Sequence, residues 1–166
     1  MILFETERMI VRRFTPADGD DFFALNGNAD AMHFIRPAKN RADSDAFLQD
    51  NLNLYLDGSM LGRFAVYHKT NGNFLGTFSF LYLSGEANYH IGYALVPEAW
   101  GQGYATELVK TGTPYFFAGT DHARLFAITH PDNKPSQQVL LKNGYRQEGQ
   151  MTEGDKIVEI FIIDRS

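Results

Sequence analysis

Residues 97–110, Pro-Glu-Ala-Trp-Gly-Gln-Gly-Tyr-Ala-Thr-Glu-Leu-Val-Lys, join the end of an apolar run to the start of a helix-forming one. Gly101 and Gly103 remove side chains at this corner, so backbone N–H groups can approach a ligand there. The helix that follows adds N–H groups with no intrahelical partner and the positive end of its dipole. Together these features suit a phosphate or pyrophosphate. Two familiar phosphate loops fit poorly. The dinucleotide fingerprint requires a third glycine where Thr106 stands and an acidic residue closing the next strand, where the chain reads Thr129-His130-Pro131. A P-loop requires Gly-Lys-Ser/Thr, and the sequence has no such tripeptide.

Composition narrows the chemistry further. The chain has 166 residues, 44% of them hydrophobic, with 14 Phe and 8 Tyr, enough for one sizeable core and a single domain over 1–166. Lys plus Arg number 15 and Asp plus Glu 20, for a net charge of -5 without a basic stripe. No nucleic-acid partner is expected from that balance, whereas a cationic or amine substrate suits it. The absence of cysteine removes disulfides, thiolate metal sites and a cysteine nucleophile, and no metal is expected. The opening MILFETERM lacks a basic n-region, and Glu5 interrupts its apolar run, so no signal peptide is expected. No apolar segment approaches the roughly 20 residues that span a bilayer, so no membrane partner and a cytoplasmic location are expected.

The elements that must position the glycine corner follow from pattern. Met9–Phe14 reads as a strand, and Thr15-Pro16-Ala17-Asp18 opens a helix to about Leu25 that turns Phe22, Phe23 and Leu25 inward. Residues 27–43 read as loop around Pro37. Ser44 or Asp43 caps a second helix that carries Phe47, Leu48, Leu52 and Leu56 and stops at Gly58. Strands at Leu61–His68 and Phe74–Leu83 flank the hairpin signal Asn71-Gly72. A strand at Asn88–Val96, a helix from about Gly103, a strand at Arg124–Thr129 and a helix at Lys134–Asn143 follow. Two late strands, near Tyr145–Gln150 and Ile157–Ile163, complete a mixed α/β domain. Pro114 falls inside the helix after the glycine corner and predicts a kink near 110–114, or a helix that breaks and restarts.

Trp100-Gly101-Gln102-Gly103-Tyr104-Ala105 resembles the acetyl-CoA pyrophosphate loop of the GCN5-related N-acetyltransferases (GNAT), most nearly that of the ribosomal-protein N-terminal acetyltransferase (RimJ/RimL-like) branch. Further stretches resemble that branch in the same order: Glu5–Arg12, then Ile91-Gly92-Tyr93 with Pro97-Glu98, then Asn133-Lys134-Pro135-Ser136 with Asn143-Gly144-Tyr145. The resemblance implies a mostly antiparallel central sheet flanked by helices and splayed at the cofactor cleft. It implies acetyl-CoA as co-substrate and an amine as acceptor.

Residue roles follow from the same resemblance. Backbone of Ala94, Leu95 and Val96 would pair with the pantetheine arm, and N–H groups of Gln102, Gly103, Tyr104, Ala105 and Thr106 would hold the pyrophosphate. The N–H near Leu95 would steady the developing oxyanion, a contact typically worth ~3 kcal/mol. His90 stands where related enzymes often place Glu, and an imidazole can accept a proton there directly or through water; it also reads as an ordinary strand histidine. Glu86 is the lesser candidate for the base. The tyrosine acid of many members is Leu140 here, which leaves Ser136 to contact the departing sulfur, although Ser136 also suits plain capping. Asn133 is a cofactor contact or a turn residue, and His33 and Phe34 are expected to line the amine pocket. The acceptor is either a protein N-terminal α-amine or a small-molecule amine, on a monomer or homodimer. A non-catalytic acyl-CoA-binding module is the competing reading.

Overall fold

The computed structural model describes residues 1–83 and 87–166. Eight strands form one sheet: β1 (Ile2–Glu5), β2 (Met9–Arg13), β3 (Gly62–His68), β4 (Phe74–Tyr82), β5 (Tyr89–Leu95), β6 (Arg124–Thr129), β7 (Arg146–Glu153) and β8 (Lys156–Asp164). Their spatial order is β1-β2-β3-β4-β5-β6-β8-β7. Every neighbouring pair is antiparallel except β5 with β6. Five α-helices flank it: α1 (Gly19–Asn26), α2 (Ala29–Met32), α3 (Arg41–Leu54), α4 (Tyr104–Gly119) and α5 (Lys134–Lys142). This is the mixed, mostly antiparallel sheet flanked by helices that the sequence predicts.

Alternation along β4 sorts the layers. Phe78 and Phe80 are fully buried, and the Phe80 ring meets Phe116 of α4 at 5.3 Å. On the other face, Thr77 lies opposite Ala65 of β3, and Ala65 packs with Phe14, Phe22 and Leu48 under α1 and α3. The parallel pair β5–β6 is short. It makes two register pairs, His90↔Phe126 and Ile91↔Ala127, while β5 stays paired to β4 as far as Leu95. Beyond Ile91 the sheet is therefore split, as the splayed architecture requires.

Several local expectations are corrected. Ile2–Glu5 adds an antiparallel edge strand, held by β2. The stretch 27–43 contains α2, capped by Asn28, whose side chain accepts from Ala31 N–H. α3 starts at Arg41 because Asn40 accepts from Asp43 N–H at 2.8 Å, an earlier cap than Ser44 or Asp43. Leu56 lies past the end of α3 and is 82% exposed. Pro114 does not break α4, which runs from Tyr104 to Gly119 without interruption. The proline forfeits one backbone hydrogen bond, and tertiary packing holds the helix around it. Gly112 lets the helix approach Phe78, Phe116 is fully buried, and Thr113 Oγ1 shares a 2.7 Å hydrogen bond with Tyr145 Oη.

The Gly112 contact is a test of that packing. A Cβ there would stand 2.4 Å from Phe78 Cζ. Gly112→Leu should cost about 1–3 kcal/mol by overpacking, read as a lower urea midpoint. Gly112→Ala should move it in the same direction by less.

Candidate active site

The glycine corner owes its residue types to backbone conformation. Gly101 and Gly103 have φ of 73° and 81°, in the left-handed region that side chains disfavour. A Cβ at Gly101 would meet nothing within 4 Å, so lack of space is not the reason. Gly103 is the N-cap of α4 and offers no side-chain acceptor, which leaves the first-turn N–H groups to an external anion. Trp100 Nε1 donates to Leu95 O at 2.9 Å and ties the corner back to β5. Glu107, one turn into α4, accepts from Arg8 N at 2.9 Å and Arg8 Nε at 2.8 Å and also from Thr6 Oγ1, contacts that hold its carboxyl below the usual range against the opposing effect of burial. The Arg8 guanidinium lies 4.3 Å from the Tyr104 ring centroid, so a cation borders the corner.

A cavity of about 830 Å³ runs from this corner into the split between β5 and β6. Ala94, Leu95, Gly103, Tyr104, Ala105 and Thr106 line it. Asn133 and Ser136 of the α5 N-terminus face it from the other side, with His33 and Phe34 at its far wall. Val96 N–H is already bonded to Leu75 O at 3.0 Å on β4. Alternation then turns the Leu95 N–H away from β4 and into the gap. Neither Val96 nor Gln102 lines the cavity, and the Gln102 side chain donates to Glu98 O at 3.0 Å. Glu86 lies outside the described residues.

Tyr93 is the residue that sequence reasoning passed over. Its hydroxyl shares a 2.8 Å hydrogen bond with Ser136 Oγ, while Ser136 N–H donates to Asn133 Oδ1 at 3.3 Å. Burial pushes the phenol up to about 12, so it keeps its proton at neutral pH. The Ile-Gly-Tyr stretch contained the signal. Strand alternation alone sends Tyr93 towards the core, and only the loss of β6 as a neighbour opens that position to the cleft.

A second cavity, of about 370 Å³, continues from the first past Phe34, Tyr93 and Ala94. His90, Arg36 and Arg63 line it together with Glu153, Asp155 and Lys156 of the β7–β8 hairpin. Burial, and then the charge of Arg63, push the His90 imidazole down to about 4, and its buried Nδ1 has no partner among the described residues. At neutral pH His90 is uncharged and holds an added proton poorly. Arg36 and Arg63 place their guanidinium carbons 5.0 and 4.5 Å from the Phe47 ring centroid. Because both flank one ring, at most about 10 Å separates them, a repulsion of at least about 1.7 kcal/mol at an effective dielectric near 20. His130 also lines this cavity; its Nδ1 accepts from Asp132 N–H at 3.0 Å, and its ring lies 5.1 Å from that of Phe34.

A family model described as an acetyltransferase (GNAT) domain matches residues 8–146. The chain belongs to the GNAT acetyltransferase family. The N-acetyltransferase YoaA of Bacillus subtilis is 27% identical over 150 residues, covering 89% of this chain and 84% of the relative. A GNAT-family acetyltransferase from Bacillus anthracis superposes with a TM-score of 0.83 at 25% identity, covering 99% and 98% of the two chains. The ribosomal L7/L12 α-N-protein acetyltransferase RimL, solved in complex with coenzyme A, shares the fold at 17% identity with a TM-score of 0.83, over 99% and 98% of the chains.

This GNAT domain is thus an acyltransferase that uses acetyl-CoA, and the 830 Å³ cleft offers a fitting place for that co-substrate. It carries open N–H donors at Gly103–Thr106 and a free strand edge at Leu95, with Asp30 in its lining. Among the described residues no group of His, Asp and Glu could hold a metal ion, and no helix is long and apolar enough to cross a membrane.

The buried His90 should make this GNAT domain less stable in mild acid. Its folded pKa lies below the ordinary value of 6.5, so the unfolded chain binds the proton more readily. Stability conferred by the neutral imidazole is present above pH 6.5 and is lost as pH falls towards about 4. Denaturant unfolding at pH 7 and pH 5 should show a drop in wild type that is smaller in His90→Gln.

Proposed function

We propose that this protein transfers the acetyl group of acetyl-CoA to a primary amine by direct attack on the thioester. The observation that carries this reading is the split beyond Ile91, where the cavity at the Gly103 corner and the cavity at His90 adjoin, sharing Phe34, Tyr93, Ala94, Asn133 and Ser136. Acetyl-CoA supplies the activated thioester. Backbone N–H groups of Gly103 to Thr106 hold its pyrophosphate, and the Leu95 N–H meets the oxygen on which negative charge develops. Ala94 and Val96 shape this strand edge from within, and Gln102 holds the loop through Glu98 O.

Tyr93 and Ser136 act as one donor pair facing the departing sulfur, with Asn133 fixing Ser136 through the α5 cap. His90 stays neutral and accepts a hydrogen bond from the incoming amine or from a water that removes its proton. With an imidazole pushed down to about 4, water rather than His90 carries the proton away. His33 and Phe34 border the entrance for the acceptor.

The preferred acceptor is the α-amine of a protein or peptide. Shared architecture with the RimL α-N-protein acetyltransferase supports this reading at the level of the fold. A small-molecule amine is the second reading, favoured by the limited volume, about 370 Å³, beyond the cleft. Release of free CoA with peptides beginning Ala, Ser or Met, against spermidine and an aminoglycoside, orders the two. CoA binding without release across that panel would indicate a non-catalytic acyl-CoA-binding module.

Two variant sets test the assigned roles. Gly103→Val places a β-branched residue at φ 81° and should weaken CoA binding at least about tenfold by titration calorimetry, while the protein remains folded. Tyr93→Phe and Ser136→Ala should instead lower turnover and leave CoA affinity nearly unchanged. Unaltered CoA affinity in Gly103→Val would exclude the pyrophosphate assignment.

A further inference from the structure

Two guanidinium groups, those of Arg36 and Arg63, line the acceptor cavity. Neither Arg36 nor Arg63 has a carboxylate within ion-pair distance among the described residues, in contrast to Arg8, Arg12, Arg41, Arg124 and Arg146. Arg36 is held in place: its Nη1 donates to Asn26 Oδ1 at 3.0 Å and to Met32 Sδ at 3.3 Å. The Arg63 guanidinium makes no hydrogen bond to the described residues and has only the Phe47 ring beneath it. A ring face stabilises the charge but accepts none of its five N–H donors in their own plane.

The backbone at Arg63 is clamped. Asn51 of α3, which is 1% exposed, accepts from Arg63 N–H at 2.8 Å and donates to Arg63 O at 2.9 Å, and Tyr55 Oη donates to the same carbonyl. Register then aims the side chain. Arg63 pairs with Ser79, and Ser79 with Gly92, so the three form one row across β3, β4 and β5 on the face that floors the cavity. Gly92 contributes no side chain to that row, which keeps the space between Arg63 and the cleft open. At about 4.8 Å per strand, the Arg63 and Gly92 Cα atoms are roughly 10 Å apart. Two other polar atoms of the cavity wall, His90 Nδ1 and Thr129 Oγ1, are buried without partners among the described residues.

We propose that Arg63, with the positive charge of Arg36 nearby, binds a carboxylate carried by the acceptor amine itself, so that the acceptors of this protein are amines bearing an anionic group close to the reacting nitrogen. This rests on reading the cleft as an amine acetyltransferase site, and it deepens that reading by naming the substrate class. One guanidinium that makes no hydrogen bond to the described residues matches one carboxylate in bidentate geometry. A doubly charged phosphate suits the cavity less, because Glu153 and Asp155 stand on the hairpin wall, with Lys156 there donating to Ile35 O. The carboxylate has two sources of the same chemistry: the α-carboxylate of a free amino acid, or an acidic side chain at the first position of a peptide.

Binding is measured by titration calorimetry on the protein saturated with CoA, which supports no turnover. Two matched pairs are used: Asp-Ala-Ala-amide against Asn-Ala-Ala-amide, and alanine against alaninamide. At least about tenfold tighter binding of the carboxylate member is expected in one pair, the scale of a charged hydrogen-bonded contact, and that pair identifies the source. Arg63→Met, which can still pack on Phe47, should abolish the preference while CoA affinity is retained. Equal binding within both pairs overturns the inference even if Arg63→Met does not fold. CoA release from acetyl-CoA with the same four compounds is recorded separately. Binding preference without release would overturn acetyl transfer and support the anion subsite; release without preference would do the reverse.

Discussion

The parting of β5 from β6 after two residue pairs is the constraint on which the rest of the site depends. A strand edge inside a sheet normally spends its N–H and C=O groups on a neighbour. Here β5 remains fully engaged with β4 while its other edge loses β6 beyond Ile91, so the Leu95 N–H is left facing a cavity. The parting also moves the α5 N-terminus away from β5 by the width of that cavity, and Tyr93 spans the gap to reach Ser136. Without the split, the glycine corner would be only a strand-to-helix turn.

The two ends of the cleft solve different electrostatic problems. At the Gly103 corner the positive partners are backbone dipoles and the flanking Arg8, and Glu107 is kept occupied by Thr6 and Arg8 so that its charge does not repel an anion. In the second cavity the positive groups are whole charges, at Arg36 and Arg63, with Glu153 and Asp155 on the hairpin wall. Burial, and then the charge of Arg63, keep His90 unprotonated. A protonated imidazole there would add a third positive charge to the same wall.

Rigid packing stands behind both ends. The aromatic cluster of Phe78, Phe80 and Phe116 fixes α4 on the sheet, and α4 carries the corner at its first residue. That packing absorbs the cost of Pro114. On the opposite face, Asn51 joins α3 to β3 through both backbone groups of Arg63, so the second cavity is braced by a buried hydrogen-bond clamp as well as by apolar contact.

Much of this protein was legible in its sequence because the signals are local. Glycine at positions of positive φ, the Asn71-Gly72 hairpin, the Thr15 cap and the apolar period of the strands depend on neighbours in the chain, and Arg124–Thr129 and the start of α5 fall where the pattern puts them. The motif order was enough to indicate the family. Tertiary structure alone decided the rest. Whether Pro114 breaks its helix depends on what packs against Gly112. Whether Tyr93 is core or site depends on a strand that leaves. Whether Arg63 is a surface charge or the floor of a cavity depends on cross-strand register with Ser79 and Gly92 and on Asn51, twelve residues away in sequence. These are consequences of which segments meet in space, and residue types and spacing carry no record of that.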